Sequence, residues 1–295
     1  MKLNSIAHYT ILMRYHVDLD QAKDLFDRFE IIEHIDSGGQ KDVFRAKYQG
    51  EDVVVKTLVV NSYQASKRAE REVEVMSETQ SEILVDFIMS FPEKADDQEL
   101  FVMVEEFIPG KTLYEYIANE GPSVEMGINV AEKLLTVLKE FYQNSWVHRD
   151  IKPRNIMITP DGDVRLLDVG IVRMLNQEGL TPTAQHRAPG TPGYSAPEQI
   201  RNEKEKQDTR TDIFSTGIVT FETMSGKHPF KSQGMAVDDA ILNGERLSIV
   251  QAMMDDEYEE IEFYFDMCLH PTMNKRFRKP DHALSEIEEL KSGYL

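Results

Sequence analysis

Cysteine is nearly absent. Cys268 stands alone, so no intrachain disulfide can brace the fold, and a reducing compartment is the natural expectation. With one Cys and eight scattered His, no zinc-site spacing exists. Basic charge is also short: 33 Lys and Arg face 52 Asp and Glu, a formal net charge of −19. That balance repels phosphate backbones and anionic lipid, so neither nucleic acid nor a membrane is expected as a general partner, a local basic groove aside. Long hydrophobic runs are missing. The longest, Leu100 to Val104, falls far below the roughly 20 residues of a spanning helix. The N-terminus has one early Lys and no apolar core of about 7–15 residues, so it does not read as a secretory signal. There is no Ser-centred nucleophile elbow and no repeat of about 20–50 residues. The expectation is a soluble cytoplasmic protein.

What is present is an ordinary globular composition, 41% hydrophobic and 29% charged over 295 residues. Such a chain buries enough surface to need neither metal nor disulfide for its core. Length alone allows one large domain or two lobes. Residues 1–28 read as an extension. Tyr9, Ile11, Met13, Tyr15 and Val17 alternate with mostly polar neighbours, which predicts a strand. Asp18 then caps a helix, with Gln21 in the capping-box position and Leu19, Ala22, Phe26 and Phe29 as its apolar face. The simplest role for this extension is packing on the main domain.

From Phe29 to about Gly110 the pattern is strand-rich. Strands are predicted over Phe29–Ile35, Val43–Tyr48, the β-branched run Val53-Val54-Val55 and Leu100–Phe107. One helix, about Ala65–Glu78, interrupts them. After Pro109-Gly110 the pattern turns helical, with Leu134, Leu135, Leu138 and Phe141 at helical spacing. A short strand-bearing stretch surrounds Ile156–Leu167, and helices dominate beyond Ala196. The expected class is α+β, with a small sheet-rich lobe, a larger helical lobe and a cleft between them.

One octet concentrates the chemistry: His148-Arg149-Asp150-Ile151-Lys152-Pro153-Arg154-Asn155. Asp168-Val169-Gly170 follows, and then Gly190-Thr191-Pro192-Gly193-Tyr194-Ser195-Ala196-Pro197-Glu198. A lone Asp in a loop is usually a turn or cap residue. Here the order and spacing of several motifs agree together. Over roughly residues 29–290 the chain resembles the eukaryotic-type (Hanks-type) Ser/Thr protein kinases, and His148–Leu175 is most like their prokaryotic branch. The resemblance implies a bilobal protein-kinase-like fold, with an N-lobe of about 29–108 and a C-lobe of about 109–295.

It also implies ATP and Mg²⁺ as cofactors and a protein as the phosphate acceptor. Phosphoryl transfer needs positioning, divalent metal and a group that takes the hydroxyl proton. Asp150 matches the catalytic base. Asn155 and Asp168 match the Mg²⁺ ligands and supply the oxygen donors that ion prefers. Lys152 matches the Lys that marks Ser/Thr specificity and contacts the transferred phosphate, and Thr191 supports that specificity. Lys56, at the end of the Val53-Val54-Val55 strand, matches the Lys on the α- and β-phosphates. Its expected helix partner is Glu72. Glu70 and Glu74 are rivals, because residues two apart on a helix do not share a face. Val43, Val54, Glu106 and Ile108 complete the expected nucleotide site, the last two in the hinge.

Several positions depart from the family. The phosphate loop, Asp36-Ser37-Gly38-Gly39-Gln40-Lys41-Asp42-Val43, has Asp36 at the first Gly position and Lys41 at the third, leaving Gly38 with Gly39 beside it. Taken alone, Ser-Gly-Gly would be a hairpin turn. Val169 replaces the usual Phe. Counting back from Pro109-Gly110 puts Glu105 at the gatekeeper position, whereas a one-residue shift would put Val104 there. A buried Glu is costly unless paired or protonated.

Asp168–Glu198 reads as an activation loop, with Thr181 and Thr183 as expected autophosphorylation sites opposite Arg149. Asp212 resembles the buried brace of the catalytic loop, and Glu198 and Arg276 resemble the family's buried ion pair. The acidic run Asp255–Glu262 reads as a solvated helix face. The expected function is ATP- and Mg²⁺-dependent phosphorylation of Ser/Thr hydroxyls in proteins. The alternative is a pseudokinase scaffold that binds nucleotide without turnover.

Overall fold

The computed structural model describes residues 15–38, 41–169, 173–174, 191–231 and 234–294. The chain divides into two compact units: Met1–Ser66 with Ile88–Phe107, and Lys67–Phe87 with Ile108–Leu295.

In the first unit, helix α1 (Leu19–Leu25) starts at Asp18. That side chain accepts the N–H groups of Asp20 and Gln21, and the Gln21 side chain accepts the Asp18 N–H in return, so three otherwise orphaned donors are satisfied at once. Strands β1 (Glu30–Gly38), β2 (Lys41–Tyr48) and β3 (Glu51–Val59) follow. The β2–β3 turn uses Gln49 and Gly50, both at positive φ (54° and 94°), as the right-handed twist of a two-residue hairpin requires. Helix α2 (Tyr63–Glu78) continues the chain into the second unit; β4 (Phe87–Ala95) and β5 (Gln98–Glu106) come after it. The sheet order is β1-β2-β3-β5-β4.

Period-two alternation gives this sheet two distinct faces. Phe44, Ala46, Val53, Val55, Leu100, Val102 and Val104 are buried together on one face, with Val17, Ala22 and Phe26 of the N-terminal segment in the same cluster. Lys41, Val43, Val54, Lys56, Met103 and Glu105 share the other face, as their direct cross-strand pairings show.

The strand expected around Tyr9–Val17 is corrected in part. Tyr9, Ile11 and Met13 lie outside the described residues, and Tyr15 to Asp18 belong to no strand. The physical reason is local: the Val17 N–H donates to the Asp42 carboxylate (2.8 Å) and not to a neighbouring strand.

The second unit runs through β6 (Lys111–Thr112), α3 (Leu113–Glu120), α4 (Val124–Gln143), β7 (Trp146–Val147), β8 (Ile156–Ile158), β9 (Val164–Leu166) and β10 (Arg173–Met174). Helices α5 (Pro197–Ile200), α6 (Thr209–Ser225), α7 (Val237–Asn243), α8 (Ile249–Met253), α9 (Glu259–Cys268) and α10 (Pro280–Tyr294) complete it. Helix α6 is buried on nearly every side. Its Gly217 lets α9 approach closely, since a Cβ there would lie 2.6 Å from the Cys268 Cβ. This central helix carries Asp212, on which the backbone of the His148–Asn155 octet rests. The acidic run is mostly solvent-exposed, except that Glu262 turns inward and pairs with Arg246 (2.5 Å).

Candidate active site

On the polar face of the first unit's sheet, Val43 and Met103 flank Lys56 as its cross-strand neighbours, and Val54 sits opposite Glu105. The Lys56 Nζ lies 2.6 Å from Glu105 Oε2, with side chains 8% and 2% exposed. The register question is thereby answered: Glu105 shares the Lys56 face, whereas Val104 pairs with Val55 in the apolar core. A carboxylate so buried is tolerable because a cation neutralises it at contact distance. Sequence reasoning flagged Glu105 without finding this partner. Glu106 ends β5 half-buried, and Ile108 belongs to a hydrophobic cluster of the second unit. Gly38 closes β1 opposite Lys41, while Gly39 lies outside the described residues. Asp36 is exposed and accepts the Ser37 N–H at 2.9 Å.

In the second unit, Glu72 is buried on α2, whereas Glu70 and Glu74 are exposed and Glu70 pairs with Lys67. The octet is held from below by Asp212 of α6. Its two oxygens accept the N–H groups of His148 (2.7 Å) and Arg149 (2.8 Å). Burial pushes the Asp212 carboxyl up to about 7, against the downward pull of those two donors. Arg149 takes φ +70°, a left-handed conformation costing roughly 1–2 kcal/mol in a non-glycine residue. The Asp212 bond and a bond from Gln199 Nε2 to the Arg149 carbonyl (2.9 Å) over-determine that conformation. Gln199 was missed by sequence reasoning; its one available signal is its place beside Pro197-Glu198.

The Asp150 carboxylate is surrounded by three donors. The Lys152 Nζ reaches Oδ2 at 2.7 Å, the Thr191 hydroxyl donates to Oδ1 at 2.7 Å, and the Asn155 Nδ2 donates to Oδ2 at 3.2 Å. Lys152 also donates to the Thr191 Oγ1 at 2.8 Å, which closes a three-residue ring. About one fifth of each of the Asp150 and Lys152 side chains stays exposed (20% and 21%), so a solute can reach the carboxylate. Asp150 N donates to the His148 Nδ1 (3.2 Å). Burial lowers the His148 pKa, consistent with a neutral ring accepting at that nitrogen.

The Asn155 amide also donates to the Asp150 carbonyl (3.0 Å). With its NH₂ turned to Asp150, the amide oxygen is directed elsewhere. The Leu167 N–H donates to the Asn155 carbonyl (2.9 Å), which ties the strand leading to Asp168 to this residue. An amide oxygen and a half-buried carboxylate make an all-oxygen donor pair, which suits Mg²⁺ completed by water and phosphate. Among the described residues no group of three or more His, Cys, Asp or Glu forms a protein-only metal cage. Val169 is buried in the apolar cluster beside Asp168. Thr181 and Thr183 lie outside the described residues.

The segment carrying Thr191 is anchored at its far end. Arg276 Nη1 and Nη2 reach the two oxygens of Glu198 at 2.9 and 3.0 Å, and Thr211 donates to Glu198 Oε1 at 2.8 Å.

Residues 29–286 match the family model of the protein kinase domain. Over 218 residues the chain is 30% identical to serine/threonine-protein kinase PrkC of Bacillus subtilis, covering 72% of this chain and 32% of the relative. It is 32% identical over 220 residues to the probable serine/threonine-protein kinase PknB of Lactococcus lactis, covering 71% and 33%. It is 31% identical over 212 residues to serine/threonine-protein kinase PknB of Mycobacterium tuberculosis, covering 70% and 34%. The chain thus spans about a third of the length of these curated relatives. The match runs through both units and takes in the Asp150 ring, the Lys56 strand and the Glu198–Arg276 pair, and by it the chain belongs to the protein kinase family.

Proposed function

We propose that this chain transfers the γ-phosphate of ATP to Ser and Thr hydroxyls of proteins. The observation that carries the reading is the Asp150–Lys152–Thr191 ring. Asp150 orients the acceptor hydroxyl and takes its proton as the oxygen–phosphorus bond forms and the bond to ADP breaks. Lys152 sits on the same carboxylate, where it offsets charge building on the transferred group. Thr191 fixes the carboxylate rotamer and borders the acceptor. Lys56 contacts the α- and β-phosphates, Val43 and Val54 line the sheet face it shares, Gly38 and Gly39 are the glycines of the phosphate loop, and Glu106 and Ile108 are the hinge residues. Glu72 is the helix carboxylate of that machinery. Asn155 and Asp168 would hold Mg²⁺, which neutralises phosphate charge when bound.

Every charged position of the reaction is filled, which supports turnover and not scaffolding alone. Thr181 and Thr183 are proposed autophosphorylation sites, with Arg149 as the cation for a phosphate there. The lone cysteine, Cys268, is free and fully buried, in keeping with a cytoplasmic setting. The test is incubation with Mg²⁺ and either γ- or α-labelled ATP, followed by mass spectrometric mapping. Label from the γ-position only, on Thr181, Thr183 or an added protein, supports the reading. Nucleotide binding with no transfer to itself or to any of a panel of Ser/Thr substrates contradicts it.

A further inference from the structure

Asp42 is the one acidic residue in an apolar row. It shares its face of β2 with Phe44 and Ala46, both fully buried in the core of the first unit, and is itself only 1% exposed. A charge in that place persists only if donors satisfy it. They come from two directions. From the N-terminal segment, the Val17 N–H reaches Oδ2 at 2.8 Å and His16 Nδ1 lies 2.9 Å from Oδ1. From β1, the Ser37 hydroxyl donates to Oδ1 at 2.7 Å. Since its one proton is spent there, Ser37 accepts from His34 Nε2 at 2.8 Å. The Asp42 backbone carbonyl accepts from Thr57 of β3 (3.5 Å). One carboxylate therefore ties three chain segments together: the N-terminal extension, the end of β1 at Ser37 and the start of β2 at Asp42 itself.

Two features make this more than packing. First, Asp42 and Ser37 are cross-strand partners beside Gly38 and Lys41, the strand ends that the kinase reading places at the nucleotide phosphates. Second, His16 and Val17 lie outside the matched kinase domain, which begins at residue 29. They are nonetheless fixed in place, because Val17, Ala22 and Phe26 are buried in the same core. The extension thus supplies a mooring that the domain alone lacks.

We propose that Asp42 is a positioning residue for nucleotide binding, and that the His16–Val17 segment is the anchor through which it holds the β1 and β2 ends. The proposal rests on the kinase reading above. Asp42 acts from the sheet face opposite Val43 and Lys56, so it touches neither nucleotide nor acceptor. Its effect is to order the strand ends before ATP arrives, which lowers the ordering cost of binding. The prediction is a change in affinity for ATP with little change in the chemical step.

The test uses the full chain and titrates a fluorescent ATP analogue (MANT-ATP) with Mg²⁺, alongside kcat and KM for ATP with a Ser/Thr peptide. Asp42→Leu continues the apolar row and removes the acceptor. His16→Ala changes a side chain that is 41% exposed, so folding is not at stake. Asp42→Asn keeps an oxygen for the Val17 N–H. Loss of a charge-assisted contact is expected to weaken binding about tenfold in Asp42→Leu, and several-fold in His16→Ala, with kcat within about twofold of wild type. Asp42→Asn is expected to bind between wild type and Asp42→Leu. Tyr15→Phe, which removes the nearby Tyr15–Asp96 bond, is expected to bind as wild type does.

Wild-type affinity in both His16→Ala and Asp42→Leu would overturn the proposal, as would a fall in kcat at unchanged affinity. Failure of the wild type itself to bind MANT-ATP would instead overturn the kinase reading, and this proposal with it.

Discussion

Removing the Arg276 guanidinium should destabilise the second unit severely, and in a way that a partner substitution partly cures. Arg276 is 3% exposed and Glu198 4%. Arg276→Met takes away both carboxylate contacts and the donors to the carbonyls of His270 (2.7 Å), Arg210 (3.1 Å) and Pro271 (3.4 Å). Glu198 is then left as a buried anion with the Thr211 hydroxyl as its remaining donor. Breaking a buried pair by removing one partner costs about 3–5 kcal/mol. Three deserted carbonyls push the cost toward the upper end of that range.

The assay is built into the chain. Trp146 is the only tryptophan and is buried in the same unit, so its fluorescence in urea follows the affected body directly. The double variant Glu198→Gln/Arg276→Met removes the orphaned charge and should be more stable than the sum of the single losses by at least about 1 kcal/mol. A loss below about 1 kcal/mol in Arg276→Met, or strictly additive single losses, would refute the reasoning.

Other outcomes follow from particular side chains. His228 Nε2 faces the Gly193 carbonyl at 2.9 Å and Nδ1 accepts the Phe230 N–H at 3.2 Å, so the ring is neutral and burial lowers its pKa to about 4. The unfolded chain, titrating near the ordinary value of about 6.5, binds a proton that the folded chain refuses. Stability is therefore full above pH 6.5 and is lost as pH falls toward 4, by about 2 kcal/mol at pH 5. Urea midpoints at pH 7 and 5 should show this, and His228→Gln should flatten the difference. Glu105→Ala removes the partner 2.6 Å from Lys56 and should cost about 3 kcal/mol. Glu105→Gln, which keeps an oxygen there, should cost less than half as much in circular-dichroism melts, and equal losses would contradict the pairing. Thr191→Val deletes the hydroxyl between Lys152 and Asp150 and should lower kcat about tenfold or more, while Thr191→Ser stays near wild type; matched losses would count against the ring.

The parts legible in the sequence are those whose chemistry is local. Asp150, Lys152 and Asn155 fall within six residues of chain, so their convergence needs only one tight loop. The α1 cap was equally readable, because Asp18 and Gln21 meet across a single helical turn. Contacts set by strand register were not. Glu105 and Val104 are neighbours, yet a one-residue slip would exchange their faces, and only the observed register puts Glu105 beside Lys56. The Asp42 mooring joins residues 25 and 26 positions apart through a β1 strand with irregular register. No periodicity announces that. The alternation from Tyr9 to Val17 predicted a strand, because pattern alone cannot show that a side-chain carboxylate takes the Val17 N–H.

The central claim is that Asp150 serves the acceptor hydroxyl while ATP gives up its γ-phosphate. Its most direct test is a single-turnover comparison of wild type and Asp150→Asn with γ-labelled ATP and Mg²⁺, followed by phosphoamino-acid analysis. Asp150→Asn preserves the shape and removes the base. The prediction is label on phosphothreonine or phosphoserine, with a rate about 10²–10⁴-fold lower in the variant at unchanged nucleotide affinity. Equal transfer rates in the two proteins would contradict the account.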